Sequence, residues 1–166
     1  ELHTGTYAEG PLENRPGQLA RLKAGAAVAR GAGLLCHAGH GLTHDTVSDI
    51  AAMEEVTRHV LSRGYTRPLF LAGPDTESTR LFRKETFLRV WEAERGGPVP
   101  PVIHANSYSP TDGRDCALAY LRTLPPDRRP DVILCENDVL ALGAMDAVRG
   151  DLRLRVPQDI AITGFD

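Results

Sequence analysis

Val132-Ile133-Leu134-Cys135-Glu136-Asn137-Asp138-Val139-Leu140-Ala141-Leu142-Gly143-Ala144 is the stretch that decides the fold. Its opening run is apolar without polar alternation, as a strand reads when helices cover both faces of a parallel sheet. A polar turn, Glu136-Asn137-Asp138, follows. Apolar residues then recur at helical spacing, at Leu140, Ala144, Ala147 and Val148. Strand, turn and helix in that order make one βα unit.

The same grammar repeats on both sides. Apolar runs at Glu1–Thr4, Gly33–Ala38, Pro68–Ala72, Val102–Ala105, Val132–Cys135 and Ile160–Thr163 predict six strands. Between them, amphipathic stretches predict five helices, over about Pro16–Arg30, Thr46–Arg63, Ser78–Arg95, Asp112–Leu124 and Val139–Val148. Gly64 caps the second of these, and Gly96-Gly97 ends the third. Pro100-Pro101 and Pro125-Pro126 punctuate the chain between elements.

Composition bounds the rest. With 166 residues, the chain is long enough for one domain with a real core. Apolar content of 42% and charged content of 25% are ordinary for a globular protein. A net charge of −3, with scattered basic residues, gives no support for a nucleic-acid-binding surface. No apolar run approaches the roughly 18 residues that span a bilayer, and no secretory signal opens the chain. Cys36, Cys116 and Cys135 are odd in number and form no CxxC pair, so free thiols in a reducing compartment, the cytoplasm, are expected. Both ends are abrupt, as in a fragment or a deliberately built chain.

In open parallel sheets, ligands bind outside the carboxyl ends of the strands. The segments leaving the strands are rich in Gly, His and carboxylates: His3-Thr4-Gly5, Ala38-Gly39-His40-Gly41, Gly73-Pro74-Asp75, Ser107-Tyr108, Glu136-Asn137-Asp138 and Gly164-Phe165-Asp166. In any single loop, Gly is turn chemistry and Asn or Asp a helix cap. Six such loops on one edge point to a site. Gly39-His40-Gly41 with Thr43 is a Gly-rich turn ahead of a helix, suited to a phosphate. Cys36, His37, His40 and His44, with His3, offer soft and imidazole ligands, but their spacing matches no closed zinc motif, so no metal is assigned. Ser107 and Ser109 lack a Gly-x-Ser-x-Gly elbow, and no serine or cysteine stands as a catalytic nucleophile.

Two resemblances meet in this chain. From about Ala52 to Asp166 it resembles the carboxyl-terminal lobe of the effector-binding domain in the lactose-repressor/ribose-binding-protein family. The segments that carry this are Val56-Thr57-Arg58-His59-Val60-Leu61-Ser62-Arg63-Gly64-Tyr65, Pro68-Leu69-Phe70-Leu71-Ala72-Gly73-Pro74, the run from Cys135 to Ala144, and Val156-Pro157-Gln158-Asp159-Ile160-Ala161-Ile162-Thr163-Gly164-Phe165-Asp166. From Glu1 to about Ala51 it resembles the carboxyl-terminal part of the pyridoxine 5′-phosphate synthase family, a TIM barrel. There the motifs are Glu1-Leu2-His3-Thr4-Gly5 with Tyr7-Ala8, and Ala38-Gly39-His40-Gly41-Leu42-Thr43; Cys36-His37 departs from the Val-Asn usual in that family.

The resemblances imply a single α/β domain built from two fragments, 1–51 and 52–166, joined within the helix from Thr46 to Arg63. The implied fold is a three-layer sandwich on a six-stranded, mostly parallel, flavodoxin-like sheet, a periplasmic-binding-protein-like half domain. The Pro68–Ala72 strand is flanked by its own lobe's strands, so the grafted strands must take an edge. The synthase likeness implies that His3 descends from a catalytic position and that Gly39, His40, Gly41 and Thr43 retain a phosphate turn. The regulator likeness implies that Arg83 and Asp138 hydrogen-bond an effector, that Tyr108 packs on it, and that Asp166 ends the last motif. Most of the synthase pocket and the first effector lobe are absent from these matches, so the expectation is an engineered chimeric scaffold with no catalytic activity and no cofactor. The alternative is a weak binding module for phosphate or a small molecule. No nucleic-acid partner, no membrane partner, and a monomer or homodimer are expected.

Overall fold

A computed structural model of the chain describes residues 34–37, 46–74 and 81–165. The expected stub Glu1–Thr4 and helix Pro16–Arg30 lie outside them. The elements are β1 (Leu34–His37), α1 (Thr46–Ser62), β2 (Pro68–Ala72), α2 (Leu81–Arg95), β3 (Val102–His104), α3 (Pro110–Thr123), β4 (Val132–Cys135), α4 (Asp138–Met145) and β5 (Ala161–Phe165). The helix begun by α4 continues as a wider π turn over Asp146–Asp151.

Local chemistry explains where these elements start and stop. Ser109 caps α3 by accepting from the Asp112 amide at 3.1 Å, and Pro110 takes the first turn, where its missing N–H costs nothing. The helix therefore begins two residues before the expected Asp112. Asn137 caps α4 in the same way through the Leu140 amide at 2.9 Å. Gly64, at φ +85°, closes α1 in the left-handed conformation that glycine adopts without strain.

Five parallel strands form one sheet among the described residues, in the order β1-β5-β4-β2-β3. The expected count of six is corrected to this extent, since the sixth run lies outside the described residues. Counted from β2, the order is the flavodoxin-like 2-1-3-4-5, with the first strand of the chain filling the fifth place. As expected, β2 lies between β3 and β4. β1 takes the open side of β5, pairing Leu34 with Ile162 through His37 with Phe165. That pairing explains why β5 runs on to Phe165 when Thr163 was the expected end. The β4 ladder stops at Thr163, and Gly164 and Phe165 are held by β1 alone.

Alternate residues of each strand feed opposite cores. Leu69, Leu71, Ile133, Cys135 and Ile162 pack against α3 and α4 through Ala117, Leu121, Leu140, Ala144 and Val148. Phe70, Ala72, Leu134, Ala161 and Phe165 pack against α1 and α2 through Met53, Val56, Val60, Phe87 and Trp91. Phe70 and Phe87 stack at 5.2 Å between centroids, a contact worth about 1 kcal/mol beyond the area it buries. Helices on both faces of a parallel sheet give the expected three-layer sandwich.

Candidate functional site at the carboxyl ends of the strands

A doubly wound sheet opens a crevice where successive connections leave in opposite directions. Here that switch point falls between β2 and β4, the neighbours from which the chain crosses first to β3 and later to β5. Gly73 follows β2 and Glu136 follows β4.

Glu136 is the centre of the rim. Its side chain is 3% exposed. One carboxylate oxygen accepts from the Gly73 amide at 2.5 Å, and the other accepts from the Tyr108 hydroxyl at 3.2 Å. The carboxylate therefore bridges β2 to the loop after β3. Burying a charge without such donors would cost several kcal/mol, so these two bonds are a condition for its position. Gly73 is required by a close approach: a Cβ there would lie 2.1 Å from the Tyr108 ring. His104, the last residue of β3, faces the Gly73 carbonyl through Nδ1 at 3.1 Å.

Arg83, on the first turn of α2, reaches the same point from the other face. Its Nη1 donates to the Glu136 carbonyl at 3.0 Å, and Nε and Nη2 both meet Oδ2 of Asp49 in α1 at 2.9 Å. Both side chains are mostly buried, at 12% and 14% exposure. The guanidinium also lies over the Phe165 ring. Asp138 opens α4, and its carboxylate sits against Gly164 of β5, where an added Cβ would fall 1.9 Å from Oδ1.

Of the residues expected to face a ligand, Arg83, Tyr108 and Asp138 are thus brought to one rim, and Glu136 links the first two. Asp166 and the expected phosphate turn of His3, Gly39, His40, Gly41 and Thr43 lie outside the described residues. Cys36 and His37 are placed in β1 by their backbone alone. The nucleophile candidates have structural roles. The Ser107 hydroxyl donates to the Asp112 carboxylate, and Ser109 is the α3 cap. Burial pushes the Cys135 thiol well above its ordinary range, so it stays protonated. Sequence reasoning missed Asp49 as part of the site and placed Glu136 in a rim loop without giving it a role. Glu136 had a signal, a carboxylate placed directly behind a wholly apolar strand; Asp49 had none.

What this arrangement can do follows from its charges. Among the described residues, three carboxylates, on Asp49, Glu136 and Asp138, accompany one guanidinium that is already shared among protein acceptors. The rim is rich in acceptors and favours hydroxyl and amide donors over anions.

Residues 57–166 match the family described as periplasmic binding protein-like domain, and residues 1–64 match pyridoxal phosphate biosynthesis protein PdxJ. The two matches overlap at the carboxyl-terminal end of α1, inside the expected junction helix. The first segment is 58% identical over 59 residues to pyridoxine 5′-phosphate synthase of Parasynechococcus marenigrum, covering 34% of this chain and 24% of the relative. The second is 34% identical over 111 residues to the HTH-type transcriptional repressor PurR of Pasteurella multocida, covering 66% of this chain and 32% of the relative. Among solved structures, a regulatory protein of the LacI family from Chloroflexus aggregans superposes with a TM-score of 0.64 at 28% identity, over 71% of this chain and 41% of its own. The chain therefore spans about a quarter of the synthase and a third of the repressor it matches.

These relatives correct one expectation. Absence of a nucleic-acid partner was read from net charge and scattered basic residues. The curated relatives matched over two-thirds of the chain are helix-turn-helix transcriptional repressors, proteins that act on DNA. Charge balance over a regulatory lobe reports nothing about a DNA-reading head elsewhere in such a protein, so the inference from charge fails.

Proposed function

Because the chain belongs to the periplasmic binding protein-like domain family over residues 57–166, we propose that it is an engineered chimeric scaffold carrying the ligand-facing half of an effector-binding domain, with no catalytic activity. The fragment 1–51 serves in it as a structural supplement to the lobe 52–166, and the two make one domain.

The observation that supports this reading is the Glu136 bridge at the switch point. It holds Gly73 and Tyr108 in place and, through its carbonyl, Arg83. A rim set this way by protein hydrogen bonds is preorganised and pays little ordering cost on binding. The described residues form one wall. Small-molecule pockets bury most of the ligand surface, and a single wall leaves much of that surface in water. The function is weak, millimolar-range binding of a small neutral polar molecule at Arg83, Tyr108 and Asp138. Catalysis needs several groups held around the reacting atoms. The synthase-like fragment corresponds to about a quarter of that enzyme's length.

The test is a titration followed by backbone amide shifts, with D-ribose as a neutral probe and inorganic phosphate as an anionic one. Shifts from ribose confined to Gly73, Tyr108 and Glu136–Asp138 are expected. Movement spread over the whole chain, or none at high millimolar ribose, overturns the reading. Phosphate shifts confined to Gly39–Thr43 would place the binding on the synthase-like turn instead. No pyridoxine 5′-phosphate formation is expected in the synthase assay.

A further inference from the structure

At the opposite end of the sheet, beneath the amino-terminal ends of β2, β3 and β4, lies a half-open cavity of about 410 Å³. It is far from the rim and plays no part in the reading given for it.

Its walls are of two kinds. One is apolar and stiff: Tyr120, Val99 and the edge of the buried Trp91 border it together with Pro98, Pro100, Pro101 and Pro130. Prolines have fixed φ and no N–H to satisfy, so they make a wall that ligands find already shaped. The floor is pinned as well. The Asp131 carboxylate accepts from the Thr66 and Arg67 amides at 2.9 Å each and from the Thr66 hydroxyl at 3.1 Å.

The other wall is cationic. Arg67, Arg95 and Arg128 line the cavity, and among the described residues no carboxylate does. Arg67 is fixed by its Nε donating to the Arg129 carbonyl at 2.9 Å. The arginines outweigh the helix ends they sit beside. Each helix carboxyl terminus carries roughly half a negative charge. The ends of α2 and α3 together therefore offset about one of three guanidinium charges, and Asp131 about one more. A positive balance remains around an apolar slot.

We propose that this cavity is a binding site for a small aromatic anion, a ring bearing a carboxylate, sulfonate or phosphate. The ring lies against Tyr120, Val99 and the prolines, and its anionic group meets Arg95 and Arg128. Guanidinium groups suit this task, since they present paired N–H donors to planar oxyanions. The volume is that of an ordinary small-molecule pocket.

Trp91 is the single tryptophan of the chain and lines this cavity. The probe is anilinonaphthalene sulfonate, an aromatic anion whose emission rises on binding. Saturable energy transfer from Trp91 to the dye is expected, weakening with added salt. The double variant R95E/R128E should lower affinity by about tenfold or more, the effect of one lost charge-assisted contact or greater. The neutral analogue, phenylnaphthylamine, should bind at least about tenfold more weakly than the sulfonate. Both arginines are exposed, so the variant should retain the parent's circular dichroism and unfolding midpoint. Equal binding by the variant, equal binding of the neutral dye, or dye emission without transfer from Trp91 overturns the proposal. Failure of ribose to bind the rim would leave this result untouched.

Discussion

The guanidinium carbon of Arg83 lies 4.1 Å above the centroid of the Phe165 ring. One side chain thus joins α2 to the end of β5, while its N–H groups hold Asp49 and the Glu136 carbonyl. Cation, ring, carboxylate and carbonyl form a single knot under the rim.

Cutting that knot should be costly. Arg83→Ala leaves Asp49 mostly buried without its partner, and breaking one side of a buried ion pair costs about 3 kcal/mol. Replacing both members with apolar residues of similar size, as in Asp49→Leu with Arg83→Met, should recover most of the loss. Urea unfolding midpoints of the two variants check this.

Glycine at 143 is set by the approach of α4 to α3. A Cβ there would lie 2.2 Å from the Pro110 carbonyl oxygen and 2.6 Å from the Arg114 nitrogen, both backbone atoms. Alanine in a helix is ordinarily favoured over glycine by about 1 kcal/mol. Overpacking against backbone costs about 3 kcal/mol, so the clash wins. Gly143→Ala should lower stability by about 2 kcal/mol, whereas Gly73→Ala meets only a side-chain ring, Tyr108, and should disturb the rim more than the fold. Thermal unfolding of each variant separates the two effects.

Arginines hold the carboxyls of Glu54, Asp151 and Asp159 low, and Asp159 fixes the sign of a pH dependence. Arg155 holds the Asp159 carboxyl down to about 2 from an ordinary 3.8, by side-chain and backbone hydrogen bonds. A depressed acid stabilises the fold above its unfolded value and loses that stabilisation as pH falls through the folded one. The contribution is therefore complete above about pH 4 and fades toward pH 2. Asp159→Asn should flatten the acid limb over that interval, read as unfolding midpoint against pH.

Thiol chemistry should rank two cysteines. Burial raises the half-buried Cys116 thiol modestly and the fully buried Cys135 thiol far more. Only the thiolate alkylates. Cys116 should react first, and Cys135 roughly a thousandfold more slowly or worse, through the small open population alone. Peptide mass spectrometry after timed iodoacetamide treatment gives both rates.

The strands were legible because a parallel sheet writes itself as unbroken apolar runs. Pro68–Ala72 and Val132–Cys135 match their expected bounds to the residue. The start of α1 matched its expected Thr46, while other helix starts needed capping chemistry to be read. Ser109-Pro110 carried the signal for α3, and attention to the apolar spacing alone placed the start too late. The rim was legible as a set of loops and not as a network. That Arg83 would spend its donors on Asp49 and a carbonyl depends on α1 and α2 lying side by side. No local pattern encodes that, and the same holds for Glu136 reaching Gly73 across the switch point.

The ladder between β1 and β5 pairs residues about 128 positions apart in the chain, Leu34 with Ile162. Loop-closure entropy makes such a pairing the hardest to reach and the last to be rewarded. Newly made molecules should therefore pass through a stage in which β5 is bordered on one side only. In that interval an apolar, wholly buried strand offers its free amides to any other chain. Until the first strand docks, that bare edge is a point at which two unfinished molecules can join.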